Sequence, residues 1–133
     1  MKYILMMHAR HGKTGDYQIK QWPREALEAH MAHMSRMHRE LTGSGELAGG
    51  EGLAPPGEAK VVRAGSNGAP VVTDGPFPET KEFLAGFWLV EVESAERAYE
   101  IAAETSAAPG PDGKPLNMPM EVRRVMDESA MER

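Results

Sequence analysis

The sequence of 133 residues contains no cysteine. Disulfide bonds, thiolate nucleophiles and zinc sites with cysteine ligands are therefore excluded. An excess of positive charge is missing too, since 15 Lys and Arg stand against 20 Asp and Glu for a net charge of −5. Nucleic-acid binding needs a basic patch. Because the only adjacent basic pair is Arg123-Arg124, we expect no nucleic-acid partner.

Long apolar runs are also absent. The first run, Tyr3–Met7, is too short for a signal peptide, and no later stretch has the length to span a membrane. We therefore expect a cytoplasmic protein with no membrane partner. The glycine-rich stretch 49–52 lacks the Lys-Ser/Thr of a phosphate-binding P-loop. A hydrophobic content of 41% and the length fit a single globular domain over residues 1–133.

The first helix is predicted between Pro23 and Leu41. Proline suits a first helical turn, and the segment is rich in helix-forming residues. Gly43 and Gly45 are expected to end it. Five residues recur at helical spacing and predict the buried stripe: Leu27, Met31, Met34, His38 and Leu41.

The remaining pattern predicts strands around this helix and a second one. Ser94 is a suitable N-cap for a helix over 95–107. Strands are predicted at 3–7, 46–50, 59–64, 70–73, 83–92 and 120–126, with a hairpin turn at 66–68. This order indicates an α+β fold, a ferredoxin-like βαββαβ pattern with an extra hairpin. Helices on one face would leave an apolar sheet face uncovered, so we expect a homodimer.

The segment 73–82 carries the densest chemistry. Asp74-Gly75-Pro76 is typical of a tight turn, which would present Asp74 and Phe77 from a corner. One interpretation makes Asp74 a general base or substrate anchor, with Phe77 as an apolar wall. The alternative is that Asp74 opens a turn by hydrogen-bonding to its own downstream backbone.

Glu79, Lys81 and Glu82 follow within the same segment. Neighbouring carboxylates raise each other's pKa and supply an acid near neutral pH, whereas a lysine between them dampens this effect and neutralises an anionic substrate. The three residues, with Phe77, are candidate substrate-binding residues. A solvated, charged loop is the competing interpretation.

The histidines of the first helix give a third candidate. His30 and His33 lie one turn apart, a spacing that allows both to face one metal ion, but no third ligand or His-Glu-x-x-His arrangement accompanies them. We expect neither a metal nor a cofactor. On the predicted helix His33 lies off the apolar stripe and His30 at its edge.

The residues Asp74-Gly75-Pro76-Phe77, Glu79, Lys81-Glu82 and Gly86 carry a family resemblance. From Tyr3 to Val125 the chain resembles the YCII-related proteins, in the branch called DGPF after those first four residues. The resemblance implies a dimeric α+β barrel and a histidine on the first helix near an aspartate. His33 and His30 are the two candidates for that histidine, as catalytic partners of Asp74.

Together these features predict binding of a small polar or anionic metabolite in a cleft at Asp74–Phe77. Cofactor-free proton transfer, of an isomerase or lyase type, is the chemistry that fits the residues best if the protein is an enzyme. The competing prediction is a non-catalytic regulatory or protein-interaction module. The resemblance admits this role because such proteins are often encoded beside alternative sigma factors.

Overall fold

The computed structural model describes residues 1–10, 19–75 and 82–127. These residues form six strands and two α-helices in the order β1 (Lys2–Arg10), α1 (Arg24–Ser44), β2 (Leu47–Gly52), β3 (Lys60–Ala64), β4 (Pro70–Asp74), β5 (Glu82–Glu91), α2 (Ala95–Ser106) and β6 (Met120–Arg124). Short 3-10 turns lie at Ile19–Gln21 and Pro56–Glu58. The predicted α+β class is confirmed.

Four strands form one antiparallel sheet in the order β2-β5-β1-β6, and β3 pairs only with β4. Within the described residues the sheet is open and closes no barrel. The predicted end of the first strand at residue 7 was wrong, because β1 continues to Arg10 by pairing with Glu82–Leu84 of β5. Long-range pairing decides this boundary, which a local pattern cannot show.

Both helices pack on one face of the sheet. Their apolar side chains join those of β1 and β5 in one core: Leu5, Met37, Leu41, Trp88, Val90, Val92, Ala98, Ile101 and Ala102. Side chains alternate along a strand, so the neighbours of Leu5 point to the opposite face. There Ile4 pairs with Leu89 and Met6 with Phe87 across β1 and β5, and all four are half-buried. We call these four residues the outer sheet face.

Helix α1 was predicted with the correct start but the wrong phase. It runs through Gly43 to Ser44 and ends at Gly45, whose φ of 80° is the left-handed conformation that glycine adopts readily. Its buried residues are Ala26, His30, Met37 and Leu41. The predicted stripe is therefore wrong at Met31, which is 50% exposed, and at His38, which is exposed.

Helix α2 begins as predicted at Ser94, whose side chain accepts a hydrogen bond from the Arg97 backbone N–H at 3.2 Å. The Arg97 guanidinium also binds both oxygens of Glu46, at 2.8 and 2.9 Å. This ion pair ties the start of α2 to the junction between α1 and β2. Nowhere in the described ranges is there a helix with the length and apolar character needed to cross a membrane.

Candidate functional site

A groove of about 480 Å³ lies between α1 and the strands β2 and β5. The α1 wall carries the residues that the sequence placed in the core: Met31, Met34 and His38. These three residues do share one face of α1, but that face borders the groove instead of the core. We refer to this feature as the α1 groove.

The floor of the α1 groove depends on Gly50 of β2. A Cβ atom at Gly50 would lie 2.8 Å from both the Phe87 carbonyl oxygen and the Trp88 Cε3 atom, closer than real Cβ atoms approach such neighbours. Glycine therefore lets the indole of Trp88 lie against the β2 backbone. The Trp88 Nε1–H donates to Thr105 Oγ1 at 3.0 Å, which fixes the ring between the sheet and α2.

Two basic side chains accompany these apolar walls. His38 and Arg39 of α1 both line the α1 groove and both are exposed. The His38 ring lies 6.4 Å from the Trp88 ring, between centroids, at an interplanar angle of 42°. An apolar groove with a few polar groups at one wall is the usual composition of a small-molecule site.

His30, a predicted catalytic residue, lies in the protein interior. It is 0% exposed, and its ring meets Trp22 edge-on at 5.2 Å. Its Nδ1 lies 3.0 Å from the Pro109 carbonyl oxygen. Because a carbonyl only accepts, Nδ1 carries the proton and donates. Burial lowers the pKa of His30 more than the bond to Pro109 raises it, and nearby His33 lowers it further.

His33, the other predicted partner, joins α1 to α2. Its Nε2 donates to the Glu104 carbonyl oxygen at 2.9 Å, and its Nδ1 accepts from Arg36 Nη2 at 3.3 Å. Both ring nitrogens are therefore engaged in contacts within the fold. The imidazole is therefore a link between the two helices.

Asp74, the predicted base or anchor, is the last residue of β4. Its side chain is 91% exposed and pairs with Lys60 Nζ at 2.6 Å across the β3–β4 hairpin. The contacts of His30 and His33 are with the Pro109 and Glu104 carbonyls instead. The Asp74 carboxylate therefore contacts the β3–β4 hairpin, whereas the two imidazoles contact backbone carbonyls of α2 and of the segment after it.

The other predicted substrate-binding residues belong to the segment after Asp74. Phe77, Glu79 and Lys81 lie outside the described residues. Glu82 is exposed at the start of β5, opposite Arg10 in the strand register. Across the part of the chain that the structure describes, no group of three or more His, Asp or Glu side chains is arranged to hold a metal ion.

The sequence reasoning did not place His38 and Arg39 in the wall of a groove. The signal was the repeat of Met31, Met34 and His38, which was assigned to the core because methionine usually fills cores. A histidine in such a stripe is a hint that the stripe borders a cavity, since a buried imidazole needs partners.

Comparisons with known proteins agree with the resemblance. Residues 1–110 match the family model of the YCII-related domain. An uncharacterised protein of Rhizobium meliloti is 37% identical over 87 residues, which make up 65% of this chain and 69% of that protein. The predicted YCII-related relationship is confirmed, while the assignment to the DGPF branch stays a prediction.

Proposed function

Because the chain belongs to the YCII-related family and its fold encloses a groove beneath α1, we propose that it binds a small molecule in the α1 groove. The observation that carries the proposal is the composition of that groove. Methionine and tryptophan side chains form its walls, and His38 and Arg39 lie beside them. The volume of about 480 Å³ falls within the range of about 300 to 1,000 Å³ that is typical of ligand sites.

The proposed site differs in place from the predicted cleft at Asp74–Phe77. A binding carboxylate gains strength when water is excluded around it, whereas Asp74 is 91% exposed and neutralised by Lys60. If the protein catalyses proton transfer, His38 is the imidazole in contact with the α1 groove. Imidazole exchanges protons near neutral pH without a cofactor.

A thermal-shift screen of a metabolite panel tests the proposal. A ligand at about 100 times its Kd adds roughly 2.7 kcal/mol to the free energy of unfolding. Ser35→Trp fills the α1 groove from α1, and Ser66→Trp makes the same change in the exposed hairpin turn. We expect hits that Ser35→Trp abolishes and Ser66→Trp retains. Hits that survive Ser35→Trp would contradict the location.

We also propose that the outer sheet face pairs with a second copy of the chain. Four strands about 4.8 Å apart and about 20 Å long give a face of roughly 400 Å². A stable interface takes about 800 Å² from each partner. The β3–β4 hairpin offers further apolar surface, because Val62, Val71 and Val72 are each more than half exposed. An isolated two-stranded hairpin is marginally stable, so packing against a partner would also stabilise it.

Light scattering after size exclusion tests this pairing. We expect a dimer for the wild type and a monomer for Leu89→Lys, with Val72→Lys weakening the dimer without altering the sheet. Far-UV circular dichroism confirms that each variant is folded. A monomeric wild type at micromolar concentration would refute the homodimer and leave the exposed hairpin as the surface of a non-catalytic interaction module.

A further inference from the structure

We infer that the ligand of the α1 groove is an amphipathic anion: a small carboxylate with an apolar body, its carboxylate paired with Arg39. This inference rests on the proposed function and specifies its ligand class. Two observations support it: Arg39 has no acidic partner among the described residues, and methionine and tryptophan side chains form walls of the groove.

The cation is identified by comparison with the other arginines of α1. Arg24 donates to Glu28 at 3.1 Å, and Arg36 donates to Glu40 at 3.2 Å and to Glu104 at 3.3 Å. Arg39 makes no ion pair or side-chain hydrogen bond with any residue that the structure describes. Arg39, which lines the groove, therefore keeps its charge available for a ligand.

Glu51 is the acidic residue that lines the groove among the residues that the structure describes, and strand alternation directs its side chain away from α1. Gly50 directs its Cβ position toward Trp88 on the helix side of the sheet. Because side chains alternate along β2, Glu51 projects to the opposite face, in register with Phe87. Glu51 thus lines the groove through its backbone, and the charged side chain that remains at the groove is that of Arg39.

The apolar part of the ligand is set by the walls. Met31 is 50% exposed although it lies beside Met34 in the groove. Methionine is flexible and polarizable, so it fits apolar bodies of varied shape. A guanidinium binds a carboxylate through two parallel hydrogen bonds, a geometry that an alcohol or an amine cannot match.

Calorimetry with three probes of one chain length tests the inference: octanoate, 1-octanol and octylammonium. We expect the wild type to bind octanoate at least about 5-fold more tightly than 1-octanol, the size of a favourable exposed charge pair. Arg39→Gln should remove this difference. Arg24→Gln, the same change at an exposed and paired arginine of α1, should keep it.

Salt dependence gives an independent readout. Added NaCl should weaken octanoate binding to the wild type more than binding to Arg39→Gln, because ions screen the exposed pair.

Two results overturn the inference in different ways. Equal binding of octanoate and 1-octanol, with both lost in Ser35→Trp, leaves the proposed function intact and refutes the anionic class. Tighter binding of octylammonium refutes it as well. If none of the three probes binds the wild type, the inference is wrong, and the wider metabolite screen decides separately whether the groove binds anything.

Discussion

His30 offers the sharpest test of how α1 is held against the segment that follows α2. His30→Ala removes a side chain that is 0% exposed and leaves the Pro109 carbonyl without its donor. An unsatisfied acceptor costs about 1 to 3 kcal/mol when it is buried, and the bond to Pro109 is part-buried. Truncating a large buried side chain costs about 2 to 5 kcal/mol. One substitution causes both losses, so their costs are not fully additive, and we expect the free energy of unfolding to fall by about 3 kcal/mol.

The control is the same substitution at His38, an exposed histidine of α1. His38→Ala removes an exposed imidazole from α1, and surface substitutions usually change stability by about 0.5 kcal/mol or less. Urea unfolding followed by far-UV circular dichroism at pH 7.5 measures both. If the losses of stability in His30→Ala and His38→Ala differ by less than about 1 kcal/mol, His30 does not hold α1 to the segment after α2 as described.

The pH dependence checks the same assignment. Burial lowers the pKa of His30 in the folded protein. Below about pH 6.5, His30 is therefore protonated in the unfolded chain more readily than in the folded protein. Wild-type stability therefore falls as the pH drops below that value, and His30→Ala lacks this contribution. The stability difference between the two should narrow from pH 7.5 to pH 5.5. A constant or widening difference would show that His30 is protonated in the folded protein.

Two further predictions concern the sheet and the ion pair. Gly50→Ala should lower the free energy of unfolding by about 1 to 3 kcal/mol, since its Cβ would lie 2.8 Å from the Phe87 carbonyl oxygen. Gly49→Ala is the control and should cost little, because its Cβ would lie 3.5 Å from Leu89. Equal urea midpoints for the two variants would contradict this prediction. Arg97→Gln should cost about 0.5 to 1 kcal/mol at pH 7. Because Arg97 lowers the Glu46 pKa, this cost should shrink only below about pH 4.3, and a cost that persists at pH 2 would argue against the pair.

The sequence allowed the element order to be predicted, because most elements have strong local signals. Ser94 with the alanine-rich segment after it, and the run at 83–92, each gave a helix or strand within one residue of its observed bounds. The end of β1 was missed, since His8–Arg10 are extended only through pairing with β5. Such pairing is a property of the whole fold and leaves no trace in the segment itself.

The site was harder to predict for a related reason. Met31, Met34 and His38 repeat as a buried stripe does, yet they line a groove. Periodicity reports which residues share a helix face and says nothing about whether that face meets a packed core or a cavity. His30 belongs to the core because the carbonyl oxygen of Pro109, 79 residues away, accepts its hydrogen bond. Only the folded chain brings these two residues together.

The central position of β1 also has a consequence for synthesis. Lys2 pairs with Glu91 and Tyr3 with Arg124, so β1 is synthesised before either of the strands that pair with it. At about 5 to 20 residues per second, β5 leaves the ribosome roughly 4 to 16 s after β1. During that interval the apolar edge of β1 is open to wrong partners. The four-stranded sheet is therefore completed only after β5 and β6 have been translated.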